Sequence, residues 1–142
     1  MKHQFEVGLE WNNGRNGTGK LQAKQLQTEV SIPREMNGPD IGTNPDEMLI
    51  GAASTCFTIS FATLLENAKL MPTKLSVRSI GTVDVTGHIY TFEQIVHYVD
   101  VAFEGQYKAE RVERFAKKAE ETCMISKALK GNVQVIVKLN IL

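Results

Sequence analysis

The sequence predicts an α+β fold: a mainly antiparallel sheet around one long buried central helix, with a second helix near the C-terminal end. Three observations carry that expectation. Met48–Leu65 contains no charged residue and runs on from a helix start signal at Asn44-Pro45. His3–Trp11, Lys74–Val85, Ile89–Phe103 and Asn132–Leu142 read as strands, most of them alternating apolar and polar residues. Lys108–Glu121 places Val112, Phe115, Ala116 and Ala119 at helical spacing among charges.

Length and composition set the bounds. A chain of 142 residues fits a single domain, residues 1–142, large enough to bury a core without staples. Sixteen basic residues balance sixteen acidic ones, so no nucleic acid and no anionic membrane surface is expected as a partner. Two cysteines are too few for a disulfide framework, and Met1–Glu6 has no apolar signal-like run, so residence in the cytoplasm is expected. In that compartment paired thiols are more often catalytic or metal-binding than structural.

In chain order, His3–Trp11 puts Phe5, Val7, Leu9 and Trp11 on one face, as in a half-buried strand. Asn12–Gly19 is a turn rich in Gly and Asn, and Lys20–Ile32 is a second strand that bends into a third. Pro33–Thr43 is a loop. The long helix spans Asn44–Leu70: Asn44 caps it, Pro45 suits its first position, and Glu47 can reach back to the cap. Pro72 stops it. An uncharged helix is either buried or crosses a membrane. Ser54, Thr55, Thr58, Ser60 and Thr63, and the absence of basic flanks, favour burial. Thr86-Gly87-His88 joins two strands as a hairpin, Lys108–Glu121 is amphipathic, and Cys123–Leu129 forms a last helical turn or a short separate helix before the final strand.

Three motifs bear on chemistry. Gly14–Lys20 (GRNGTGK) has the spacing of a phosphate-binding loop, but Leu21 stands where a Ser or Thr must hold Mg²⁺, and a strand follows where a helix is required. The histidines His3, His88 and His97 share no metal-ligand spacing with each other or with the cysteines, and His97 reads as a hydrogen-bonded core residue. That leaves Cys56 at the centre of the long helix and Cys123 after the second one. A free cysteine is often no more than a small buried hydrophobe.

The residues around both cysteines change that reading. Thr43-Asn44-Pro45-Asp46-Glu47-Met48-Leu49, then Gly51-Ala52-Ala53, then Cys56-Phe57, resembles the signature of the OsmC/Ohr family of thiol peroxidases, and so does Cys123-Met124-Ile125-Ser126-Lys127-Ala128-Leu129-Lys130-Gly131. The resemblance covers the whole chain in element order. It implies an OsmC-like fold and a peroxidatic Cys56 that reduces organic hydroperoxides. It further implies a resolving Cys123 that closes an intramolecular disulfide, and regeneration by a dithiol such as a dihydrolipoyl group. Arg15 matches the family's activating arginine, with Arg34 as the fallback. Asp46, with Glu47 beside it, matches the carboxylate that pairs with that arginine. Two departures stand out: Asp46 replaces the usual Glu, and Met124 the usual Pro. No metal or organic cofactor is implied.

The chemistry asks for these residue types in its own right. A thiolate attacks the O–O bond, a guanidinium lowers the thiol pKa and steadies the leaving oxyanion, and a carboxylate holds the guanidinium. The sulfenic acid then condenses with a second thiol. The alternative is an OsmC-like domain that binds a small apolar molecule or a partner, its cysteines spectators. Asp46 and Cys56 lie about 15 Å apart along one helix axis. An intertwined homodimer with sites shared between chains is therefore expected.

Overall fold

Three short strands form where the N-terminal sequence alternates: β1 (Gly8–Asn12), β2 (Thr18–Gln22) and β3 (Gln27–Val30). They pair antiparallel in that order, with Leu21 opposite Leu9 on one side and Thr28 on the other. The structure is a computed structural model describing Met1–Leu142; it divides into two compact units, Met1–Met48 and Leu49–Leu142, and this sheet belongs to the first. Between β1 and β2 the chain turns at Asn13, whose φ is 71°, and the Gly17 N–H donates to the Gly14 carbonyl. The phosphate-loop spacing thus serves a hairpin. Strand β1 begins later than the alternation suggests, and it is not half-buried: Phe5, Val7, Leu9 and Trp11 are all exposed. Beyond β3, the Ser31 hydroxyl accepts from the Ile41 N–H and donates to the Ile41 carbonyl, closing the Gly- and Pro-containing loop.

The long helix, α1 (Pro45–Asn67), starts as its sequence dictates. Asn44 Oδ1 accepts from the Glu47 N–H at 2.9 Å, and Pro45 occupies the first turn, where no donor is needed. The Glu47 carboxylate does not complete a capping box; it accepts from the Thr43 hydroxyl at 2.7 Å, a donor four residues back. At the other end Lys69 adopts φ 60°, the Leu70 N–H donates to the Leu65 carbonyl and the Lys69 N–H to that of Glu66. This pair of bonds is a Schellman motif, which stops the helix at Asn67, before Pro72 can act.

Within the second unit α1 lies on a sheet of β4 (Lys74–Thr86), β5 (Ile89–Ala102) and β6 (Gln134–Ile141), in that order. The β4–β5 hairpin turns on Gly87 and His88, both at positive φ, as a two-residue hairpin twisted like its strands requires. Strand β6 pairs parallel to β5, because α2 (Ala109–Thr122) and α3 (Met124–Leu129) form the crossover between them. Phe57, Phe61 and Leu65 of α1, Val99 and Val101 of β5, and Val112, Ala116 and Ala119 of α2 make one core. A smaller cluster joins Ala53, Ile95 and Val133. Gly81 lets α1 come close, since a Cβ there would sit 2.5 Å from Ile50 Cδ1.

Burial of α1 is one-sided. Ala53, Phe57, Phe61 and Leu65, four apart, are fully covered, whereas Gly51, Ala52, Thr55, Ile59 and Thr63 are exposed and carry no charge. The expectation of cover all round fails because one sheet and one amphipathic helix reach only one side of the cylinder. The helix is long and apolar enough to cross a bilayer, but its buried stripe is that of a core helix.

His97 sits beneath α1, fully buried, stacked on Phe57 with ring centroids 5.2 Å apart. Its Nδ1 shares a hydrogen bond of 2.6 Å with the Ser79 hydroxyl, while Nε2 has no partner. Burial holds its pKa below the ordinary value. An unfolded chain then protonates first as pH falls, so the stabilisation is complete above about pH 6.5 and is lost as pH drops toward the folded value. Chemical unfolding should therefore show wild type losing stability on acidification from neutral pH, with a shallower loss in His97→Gln. Equal slopes would show that His97 does not titrate on unfolding.

Candidate active site

Cys56 lies on α1 one position before Phe57, so it flanks the buried stripe and is itself half-buried. Ser60, four residues on, lies one turn away on the same helix, and its hydroxyl helps to hold the Cys56 pKa down. Cys123 is the single residue between α2 and α3. It ends α2 with its N–H on the Ala119 carbonyl, takes extended backbone (φ −58°, ψ 124°), and caps α3, its Sγ accepting from the Ser126 N–H at 3.5 Å. This break brings Cys123 beside Cys56, so the two free thiols are neighbours within the second unit, each acting on the other's pKa.

The two sulfurs are not equivalent. Burial pushes the Cys56 thiol up, but donors from the Cys123 thiol, the Ile125 and Met124 backbones and Ser60 outweigh it, and its pKa falls below the ordinary value. For Cys123, burial and its donation to Cys56 both push upward. The Ser126 N–H and the Ile125 backbone oppose them, and the net shift is up. When one of the two thiols ionises, these shifts favour the negative charge on Cys56 and the proton on Cys123. The arrangement can present a nucleophilic thiolate beside a second, protonated thiol.

The remaining residues singled out by sequence belong to the first unit. Arg15 donates through Nη2 to the Met36 carbonyl at 2.7 Å and through Nη1 to the Asn37 carbonyl at 3.3 Å and to Asn16 Oδ1. It does not pair with Asp46 or Glu47: the one ion pair of the chain is Arg34 with Asp40, at 3.4 Å. Glu47 is taken up by Thr43, and the half-buried Asp46 carboxylate has no cationic partner. So the structure brings Cys56 and Cys123 together and leaves Arg15 and the two acids unpaired. Sequence reasoning missed Ser60, Ser126 and the backbone donors of Met124 and Ile125. The signals were present as spacing: Ser60 is one helical turn from Cys56, and Ser126 is the third residue of a helix that Cys123 caps.

Comparison with known proteins agrees with this fold. Residues 38–138 match the model of the OsmC-like protein family. An uncharacterized protein, YmaD of Bacillus subtilis, is 39% identical over 98% of this chain and 95% of its own length. The organic hydroperoxide resistance protein of Xanthomonas axonopodis pv. citri is 30% identical over 89% of this chain and 87% of its own. Among solved structures, an OsmC-like protein of unknown function from Vibrio cholerae aligns with a TM-score of 0.80 at 14% identity, covering 96% of this chain and 100% of that one. An organic hydroperoxide resistance protein from Elizabethkingia anophelis aligns with a TM-score of 0.79 at 22% identity, over the whole of both chains. The chain belongs to the OsmC-like protein family.

Proposed function

We propose that this protein is a cysteine-based thiol peroxidase acting on organic hydroperoxides in the cytoplasm. The observation that carries the reading is the placing of two free thiols side by side, half-buried Cys56 on α1 and buried Cys123 at the break between α2 and α3. The name of the Xanthomonas relative, an organic hydroperoxide resistance protein, points the same way. The Cys56 thiolate attacks the terminal oxygen of the hydroperoxide, the O–O bond breaks, and the alkoxide leaves as an alcohol after taking a proton from solvent. Cys56 is then a sulfenic acid. Cys123 Sγ attacks it, the hydroxyl leaves as water with the Cys123 proton, and a Cys56–Cys123 disulfide remains. A dithiol, of which a lipoylated protein is one form, reduces that disulfide and closes its own. Two electrons pass from dithiol to peroxide in each cycle.

An organic hydroperoxide should therefore be consumed by wild type in the presence of dihydrolipoamide, and intact mass should show loss of two hydrogens per oxidised chain. Cys123→Ser should take up oxygen at Cys56 instead, and Cys56→Ser should consume nothing. A wild type that gains oxygens and never a disulfide would exclude the resolving role of Cys123. A wild type that consumes no peroxide would favour the second reading, a small-molecule or partner-binding domain. The engagement of Arg15 with backbone carbonyls rather than a carboxylate is the observation that suits that reading.

In the peroxidase reading, Arg15 and an acid, Asp46 or Glu47, complete the site in a homodimer. Two features support association: the uncharged exposed face Gly51, Ala52, Thr55, Ile59 and Thr63 of α1, and the exposed Phe5, Val7, Leu9 and Trp11 along the first strand. Small residues on a helix let a second backbone approach closely, and a two-fold axis places the start of one helix near the middle of the other. Arg15→Met should slow peroxide reduction by about 10²–10³, the scale of one preorganised donor. Refolding it together with Cys56→Ser should restore about a quarter of wild-type activity, since half the dimers are mixed and each holds one whole site. No recovery, with a folded monomer in sedimentation, would exclude the shared site.

A further inference from the structure

Ser126 faces Cys123 with two donors, and the oxidative chemistry above calls on neither. Its N–H is bonded to Cys123 Sγ at 3.5 Å. Its side chain is only 4% exposed, and its hydroxyl has no hydrogen-bond partner; His97 Nε2 is the one other buried side-chain atom in that condition. A buried hydroxyl left without a partner lowers stability, so it needs an explanation in a state other than this one.

That state is the moment at which the disulfide opens. Cys123 is fully buried, whereas Cys56 is half-buried. A thiolate arriving from solvent therefore meets Cys56 Sγ, and the sulfur that must leave is that of Cys123. Thiol–disulfide exchange is faster when the departing thiolate is stabilised, yet burial makes Cys123 the poorer of the two leaving groups. We infer that Ser126 is a positioning residue for the reductive half-reaction: its N–H and its otherwise orphaned hydroxyl receive the negative charge that arrives on Cys123 Sγ when a dithiol attacks Cys56.

One thiolate of the dithiol forms a bond to Cys56 Sγ, the Cys56–Cys123 bond breaks, and its electron pair leaves on Cys123 Sγ. The second thiol of the reductant then attacks the first, releasing the Cys56 thiolate and closing the reductant's own disulfide. Cys123 Sγ takes up the proton that the reductant's second thiol gives up, which returns the pair to a Cys56 thiolate and a Cys123 thiol. The inference rests on the disulfide chemistry proposed above, in which reduction by a dithiol completes the cycle.

The test separates the two. The disulfide is made with diamide in wild type, Ser126→Ala and Ser126→Thr, and its reduction by dihydrolipoamide is followed by thiol trapping and mass measurement. Ser126→Ala should be reduced at least about tenfold more slowly, the scale of a lost hydrogen bond to a charged group, and Ser126→Thr should keep most of the wild-type rate. In a Cys56→Ser background, the pH profile of Cys123 alkylation should move upward in Ser126→Ala, a change that looser packing does not produce. Reduced Ser126→Ala should melt no lower than wild type, because it loses only an unpaired hydroxyl. Wild-type reduction rates with an unmoved profile would overturn the inference, and so would equal slowing by Ala and Thr. Since diamide makes the disulfide, a protein that consumed no peroxide would still return a result here.

Discussion

Negative charge on a half-buried sulfur needs donors, and this fold gathers them around Cys56. One comes from its own helix, Ser60, and the others from the start of α3: the Cys123 thiol and the backbones of Met124 and Ile125. Burial works against ionisation of both thiols, and these donors more than offset it at Cys56. At Cys123 the net shift is upward, so Cys56 is the thiol that ionises more readily. The proposed peroxidase chemistry depends on that polarity, because it names which sulfur attacks and which waits.

Several features of the scaffold follow from keeping those groups together. The stripe Ala53, Phe57, Phe61 and Leu65 fixes the rotation of α1, and thereby the direction of Cys56. Val112, Ala116 and Ala119 fix α2 on the same core, so the extended backbone at Cys123 falls where α2 ends. The parallel pairing of β6 with β5 closes the crossover behind it. Beneath the site, Phe57 stacks on Phe61 at 5.8 Å and on His97 at 5.2 Å, a layer in which the neutral imidazole acts as a flat core residue with one satisfied nitrogen.

Much of this was legible in the sequence where local rules act. The Asn44-Pro45 start, the Gly87-His88 turn, the alternation of β5 and the spacing in α2 each express one short-range preference, and the structure obeys them. The expected fold class, its element order and the family resemblance agree with the fold observed. Less was legible where a choice between equivalent partners decides the outcome. Glu47 could bond the cap or Thr43, and α1 could stop at Pro72 or at a left-handed Lys69. Which faces of α1 and β1 are covered depends on packing at long range, or on a second chain, which an apolar pattern does not specify. In the candidate site, the cysteines announce themselves by their flanks. Ser60 and Ser126 do not, since a serine one turn from a cysteine is common and gains meaning only when both sulfurs are placed.

The difference between the two thiols is electrostatic, and titration reads it out. Following thiolate absorbance with pH in the reduced wild type, alongside pH-dependent alkylation that labels each cysteine separately, gives the order in which they ionise. Cys56 should ionise first, below the ordinary free-cysteine value, with Cys123 above it. Cys123→Ala should move Cys56 upward by removing its donor. Ionisation of Cys123 before Cys56, or a Cys56 that ignores the loss of Cys123, would contradict that electrostatic difference.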